Sequence, residues 1–366
     1  MEFHEMLRKM VIEKASDLFI KVGTPPSLRI DGIIHFLDCD EITAQDAVEI
    51  YEIIEDSKKD GFRKKELRDI DVSYEIPGIG RFRVNIFRQR GHIGFVLRHI
   101  ESTICSFDDL GLPSETLRKL CSLQRGLVLL TGQTGSGKTT TLATMINFIN
   151  EHYNRHVITI EDPIEFIFRD RKSIIDQREI GLDISDFLTA LKMAMRQSPD
   201  VILIGEMRDR ETMEAALSAA ETGHLVFSTL HTVNATQTIE RIINFFPPHQ
   251  HNLIRMQLAL VLKGVLSQRL VPRKNAGGRV PAIEKMISSP TISELLSQGK
   301  TPELYNAVKD GGYFGCQTFN QSLKRLYQED QIDLDHAMAF ADNADELKLE
   351  IKGIYKGASV DFDFNY

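Results

Sequence analysis

Gly132-Gln133-Thr134-Gly135-Ser136-Gly137-Lys138-Thr139 satisfies the pattern G-x-x-x-x-G-K-[ST] at every fixed position. Its flanks decide the fold. Leu127 to Leu130 is a short apolar run suited to a buried strand, and Leu142, Met145, Ile146 and Ile149 beyond the loop fall at helical spacing. Strand, glycine loop and helix therefore stand in the order that a phosphate-binding loop requires. Glycines let successive backbone N–H groups close around phosphate oxygens, and the loop leads into a helix N-terminus carrying roughly half a unit of positive charge. Lys138 is placed to reach the outer phosphates, and the Thr139 hydroxyl to ligate Mg²⁺. The stretch implies a nucleoside triphosphate site.

Strands alternate with helices from the loop to about residue 230, the pattern of a parallel sheet with covering helices. Val157-Ile158-Thr159-Ile160 is followed at once by Glu161-Asp162-Pro163-Ile164-Glu165. Val201 to Ile204 is followed by Gly205-Glu206-Met207-Arg208-Asp209, and Leu225 to Leu230 is bracketed by His224 and His231. Ligands of open parallel sheets sit beyond the carboxyl ends of the strands, so these acids and histidines are expected to converge on the rim where the phosphate loop opens. Leu253 to Leu270 is read as one long amphipathic helical segment. Arg279 to Met286 is read as a returning strand, and helices at about Ser293, Gln317 to Tyr327 and Asp345 to Lys352 as a C-terminal bundle. Asp361 to Tyr366 has the character of a frayed tail.

Upstream, Phe3, Met6, Leu7, Met10 and Val11 predict an amphipathic helix, Ser16 to Asp31 turns strand-like, and Thr43 to Glu55 predicts a second helix. In Arg81-Phe82-Arg83-Val84-Asn85-Ile86-Phe87 the apolar side chains share one face and the basic and polar ones the other, and Ile93 to Ile100 supplies a partner strand carrying Arg98. Two readings stand. The polar face of a half-buried hairpin is merely basic, or its arginines meet phosphates bound elsewhere in an assembly. Glu101 to Thr116, punctuated by Ser, Asp, Gly and Pro, is read as a linker.

A chain of 366 residues suggests two domains or so. Its formal net charge of −8 argues against a bulk nucleic-acid binder. Cys39, Cys105, Cys121 and Cys316 are far apart, which removes support for zinc ligation and a disulfide framework and fits a reducing cytosol. Neither a secretory signal nor an apolar run of membrane-spanning length is found, so any action at a membrane is expected to go through partners.

Hydrolysis of a γ-phosphate needs a held metal, a carboxylate that orients the attacking water, and positive charge on the transition state. Glu161 and Glu206 both follow apolar strands at once, and Glu206 has the Walker B arrangement. His224 and His231 are an odd number of residues apart, so in extended chain they point to opposite faces and do not share one zinc. For either, a γ-phosphate sensor and ordinary polar packing both remain open.

GQTGSGKTT (Gly132 to Thr140), ITIEDPIEF, SPDVILIGEMRD and ETGHLVFSTLHT together resemble the Walker A, Asp box, Walker B and His box of the secretion ATPase superfamily, within it the PilT/PilU type IV pilus retraction motors. ASDLFIKVGTPPSLRIDG, GRFRVNIFRQR, QTFNQSL and ADNADELKLEIK extend the likeness over nearly the whole chain. The resemblance implies an α/β protein with an N-terminal PAS-like α+β domain over residues 1–100, a linker over 101–116, a RecA-like ATPase core over 117–286 and a C-terminal helical region over 287–366. It implies a hexameric ring with ATP and Mg²⁺ between the N-terminal domain of one subunit and the core of the next. Position by position, Gly132 to Thr140 hold the nucleotide, Thr139 and Glu206 associate with Mg²⁺, and Glu161 polarises water. His224 and His231 form the His-box pair, while Arg83, Arg98 and Arg196 match arginines that serve the phosphates. Swinging of the core about a flexible segment from Phe107 to Pro113, an inner-membrane pilus platform protein and a companion PilT-type ATPase are further implied.

The departures are specific. Thr291-Ile292-Ser293-Glu294-Leu295-Leu296-Ser297-Gln298 lacks both arginines of the AIRNLIRE motif that PilT proteins need for retraction. The start MEFHEMLRKMV and ERIINFFPPHQHN are nearer the PilU branch, and the tetracysteine zinc element of the type II secretion ATPases is absent.

Overall fold

The computed structural model describes residues 1–30, 32–56, 69–100, 103–275 and 277–353. Two compact units divide them: residues 1–103 with 165–167, and residues 104–164 with 168 onward. The tail expected to fray lies outside the described residues.

The N-terminal unit runs α1 (Phe3–Ile12), β1 (Asp17–Lys21), β2 (Ser27–Ile30), β3 (Ile33–Phe36), α2 (Ala44–Asp56), β4 (Ile70–Ile76), β5 (Gly80–Gln89) and β6 (His92–Ile100). Its strands form a six-stranded antiparallel sheet in the order β3-β2-β1-β6-β5-β4. Alternation decides what each face carries. Leu18, Leu28, Val72, Phe82, Val84, Phe95 and Leu97 are buried with Met6, Leu7 and Met10 of α1 and Ile50 and Ile54 of α2. The unit thus mixes helices with an antiparallel sheet.

The second unit begins with α3 (Ser114–Ser122), β7 (Gly126–Thr131), α4 (Lys138–His152), β8 (His156–Glu161) and β9 (Ile174–Glu179). It continues through α5 (Phe187–Ala194), β10 (Val201–Ile204), α6 (Arg210–Glu221), β11 (Leu225–Leu230), α7 (Ala235–Asn244) and α8 (His251–Val261). Then come β12 (Leu262–Pro272), β13 (Arg279–Ile287), α9 (Pro290–Gln298), α10 (Leu304–Asp310), α11 (Phe319–Gln328), α12 (Leu334–Ala339) and α13 (Ala344–Ile351). The seven-stranded sheet has the order β13-β12-β7-β11-β10-β8-β9, all parallel except β13. Every residue of β7, β10 and β11 is buried, as expected of strands covered on both faces.

Two expectations are corrected and one strand is added. Leu253 to Leu270 is not one helix: α8 stops at Val261 and the chain continues as β12, which pairs in parallel with β7. A mostly apolar run satisfies helix and buried strand alike, and the open hydrogen-bonding edge of β7 selects the strand. Gly264 permits it, since a Cβ there would stand 3.3 Å from Ile287 Cδ1 and 3.4 Å from Leu120 Cδ2. Residues 104–116 are not a free linker, because Phe107 and Leu112 are buried beside Leu117, Leu130 and Met145 in the second unit. The segment from Phe107 to Pro113, expected to be flexible, belongs to the second unit. The polar edge strand β9 was not anticipated, since Ile174-Ile175-Asp176-Gln177-Arg178-Glu179 lacks an apolar face.

Candidate nucleotide site

The phosphate loop joins β7 to α4 at the carboxyl edge of the sheet. Its backbone needs glycine at two places. Gly132 has φ 142°, and a Cβ there would lie 2.5 Å from the Gln268 carbonyl oxygen; Gly137 has φ 88°, and a Cβ there would lie 2.7 Å from Gln268 Nε2. Gln268, buried on β12, also accepts a 2.9 Å hydrogen bond from Thr141 Oγ1. The loop is thus pressed onto a polar side chain that the helical reading of Leu253 to Leu270 had concealed.

Side chains cap α5, α6 and α7 through Asp186, Asp209 and Asn234, whereas the N-cap of α4 is Gly137 and makes no such bond. The first N–H groups of α4 are left for an anion. Ser136 Oγ is buried in the loop without a hydrogen-bond partner. Lys138 Nζ donates to the carbonyls of Gly132 and Gln133, at 2.8 and 2.9 Å. A cavity of about 590 Å³ opens from Gly132 to Ser136 toward Leu270, Arg279, Phe340 and Asp342. The glycine loop lines one end, and Leu270 and Phe340 stand with Arg269, Arg279 and Asp342 at the other, a mixed lining that suits a nucleotide.

Glu161 ends β8, is buried, and accepts from Thr159 Oγ1 at 2.7 Å and Gln177 Nε2 at 3.3 Å. β10 pairs with β8 up to Ile204 and Ile160, so Glu206 follows at the neighbouring strand end. A Cβ on Gly205 would be only 3.3 Å from the Ile160 carbonyl oxygen, and a bulkier residue would part the strand ends that bring the two acids into one neighbourhood. Glu206 Oε2 meets Arg208 at 2.8 Å, and Oε1 meets His231 Nε2 at 3.3 Å. Burial works to raise the Glu206 pKa, but Arg208 and His231 outweigh it and hold the carboxyl below its ordinary range. Among the described residues no group of three or more His, Cys, Asp or Glu is placed to hold a metal. A phosphate-loop Mg²⁺ needs no such cage, because phosphate oxygens, water and one hydroxyl supply its shell, and the half-buried Thr139 at the start of α4 fits that role.

The histidines part company. His231 follows β11 and reaches Glu206, whereas His224 precedes β11 and lies at the opposite edge of the sheet, roughly 20 Å away along a strand of this length. Its Nδ1 bonds the Ala219 carbonyl at 2.9 Å, near the end of α6. The expected convergence therefore includes His231 and not His224. Arg196 is exposed just beyond α5. Arg83 and Arg98, directly opposed on β5 and β6, belong to the N-terminal unit. Arg98 donates to buried Asp17 at 3.0 and 2.8 Å, an acid that Arg29 also approaches at 3.7 Å, and Arg83 stands 3.6 Å from Asp71, so an acid stands beside each of the opposed arginines.

The family described as Type II/IV secretion system protein matches residues 2–328. The chain belongs to the type II/IV secretion ATPase family. Within it, the Type IV pilus ATPase PilU of Pseudomonas aeruginosa is 43% identical over 353 residues, spanning 96% of this chain and 92% of that protein. The PilT ATPase of the same organism, named for type IV pilus retraction, is 41% identical over 338 residues, spanning 92% and 97%. A crystal structure of the pilus retraction motor PilT with bound ADP superposes with a TM-score of 0.87 at 42% identity, over 95% of this chain and 99% of that one. These matches put the chain in the PilT/PilU branch of the family and establish its α/β architecture.

Glu284 lies on the strand read from Arg279 to Met286 and was given no role there. It is buried on β13, where its Oε1 accepts from Ala235 N–H at 2.6 Å and from Ser267 Oγ at 3.4 Å. Burial pushes the carboxyl up to about 7, with Asp342 adding to the rise and the Ala235 N–H, Arg269 and Ser267 acting against it. Between its ordinary value of 4.5 and about 7 the folded chain holds a proton that the unfolded chain releases, so this group costs stability as pH rises through that window. Glu284→Gln removes the cost. Denaturant unfolding should show the variant gaining on the parent chain between about pH 5 and 7 and level beyond; a difference constant with pH would contradict this assignment.

Proposed function

We propose that this chain is an ATP-hydrolysing motor subunit of type IV pilus retraction, acting in a hexameric ring that couples turnover to movement of the N-terminal domain against the core. The carrying observation is the uncapped phosphate loop at the carboxyl edge shared with Glu161 and the His231-bound Glu206. With ATP present, Lys138 would exchange its loop carbonyls for β and γ oxygens, and Thr139 and Glu206 would be the residues to hold Mg²⁺. The ion neutralises charge developing on the phosphates. Glu161 orients and polarises the attacking water, and His231 reports the γ-phosphate to the Glu206 loop.

Arg83 and Arg98 act on the phosphates of a neighbouring subunit, where an arginine is worth about 10³ to 10⁵ in rate. Asp17 and Asp71 hold them until they are delivered. Arg196 supplies further charge from the core. The ring meets an inner-membrane platform protein without entering the bilayer and without binding nucleic acid. Among the described residues no helix is long and apolar enough to cross a membrane.

One observation favours a second reading, an accessory ring ATPase that assists a PilT-type companion. On α9, Ile292, Leu295 and Leu296 face inward, and the two positions that match the arginines of the PilT motif are serines, half-buried Ser293 and exposed Ser297.

Lys138→Ala and Glu161→Gln should each lower steady-state ATP hydrolysis by about 10²-fold or more, Glu161→Gln keeping nucleotide affinity; full turnover in either discards the assignment. Rings mixed from Lys138→Ala and Arg98→Ala subunits should hydrolyse ATP faster than rings of either variant, because some interfaces then hold an intact loop and an intact arginine. Absence of recovery excludes a site shared between subunits. Comparing ATPase of the purified chain with that of the chain mixed with a PilT-type companion decides between the readings: the accessory one requires at least severalfold stimulation.

A further inference from the structure

Beyond the loop, the acids and the arginines, one buried polar chain has no part in the chemistry above. Thr131, the last residue of β7 before Gly132, donates through Oγ1 to Ser267 Oγ on β12 at 2.9 Å. Ser267 in turn donates to Glu284 Oε1 on β13 at 3.4 Å, and the same oxygen accepts the Ala235 N–H at 2.6 Å. Ala235 opens α7 four residues after His231, whose imidazole touches Glu206. Thr131, Ser267 and Glu284 are all buried. A carboxyl in such a position carries a desolvation penalty, and a plain apolar residue would pack β13 at no such penalty. What the carboxyl adds is a fixed link between two loops that leave the sheet at separate strands.

From this geometry we propose that Glu284 is a positioning residue for ATP turnover: through Ser267 and Thr131 on one side and the α7 N-terminus on the other, it sets the distance between the phosphate loop and the loop that carries His231. The inference rests on the ATPase reading above. Glu284 touches no phosphate. It acts through the backbone at Ala235, so its removal leaves the loop intact for binding while His231 and Glu206 lose their register with the bound triphosphate. Arg269 supports the same loop, with its guanidinium 3.5 Å from the Val233 carbonyl, but meets it beside Asp342 at the surface of the sheet and not through the buried chain.

Steady-state ATPase and ADP binding should be measured for the parent chain, Glu284→Ala, Glu284→Gln and Ser267→Ala. Glu284→Ala should lower kcat about tenfold or more with KM for ATP and affinity for ADP within about threefold, since small displacements of catalytic groups carry large rate effects. Glu284→Gln keeps an acceptor oxygen for Ala235 and Ser267 and should restore kcat to within about threefold of the parent. Ser267→Ala, which cuts only the arm to Thr131, should fall between them. Equal kcat in the parent, Glu284→Ala and Ser267→Ala overturns the proposal. So does a Glu284→Ala chain that has lost ADP binding while Ser267→Ala keeps parental kcat, because Glu284 is then structural only. A parent chain with no ATPase under any condition overturns the enzymatic reading itself, a separate result.

Discussion

The arrangement depends on β7 being hydrogen-bonded on both edges and buried on both faces. Strands β11 and β12 flank it in parallel register, so its carboxyl end is held fixed and the chain must leave the sheet where α4 begins. Placing Gly132 and Gly137 against Gln268 of β12 makes the loop geometry a consequence of sheet packing. Without β12 the loop would have the same residues and no floor.

Electrostatics follow from that scaffold. Parallel strands bring Glu161 and Glu206 out at adjacent ends, where two carboxylates near a phosphate site repel unless each has partners. Glu206 is held ionised by Arg208 and His231, while Glu161 is buried with Thr159 and Gln177 as donors. The two acids thus sit in different environments, Glu206 against Arg208 and His231 beyond its strand and Glu161 buried at its strand end.

In the N-terminal unit the same logic works through register. Arg83 and Arg98 face each other directly, an unfavourable pairing unless acids intervene. Asp17, opposite Arg98 on β1, and Asp71, beside Arg83 on β4, intervene. Cationic side chains are thereby kept ordered on one face of the sheet, with Leu18, Val84 and Leu97 on the other. An ordered guanidinium loses less entropy on meeting a phosphate than a free one.

The sequence by itself determined the phosphate loop, the strands at Val157 to Ile160 and Val201 to Ile204, the acids after them and the family likeness. Each is a local matter of residue type and spacing within a few positions. Tertiary structure alone decided the rest. Whether Leu253 to Leu270 stays helical depends on β7 offering an edge, which no local period encodes, and Gln268 became visible only with that answer. His224 and His231 look equivalent along the chain, yet strand direction sends one to each edge of the sheet, and direction is a property of pairing. Glu284 gave no signal at all, because a lone acid in an apolar run acquires meaning only from Ser267, Thr131 and Ala235 brought to it from distant parts of the chain.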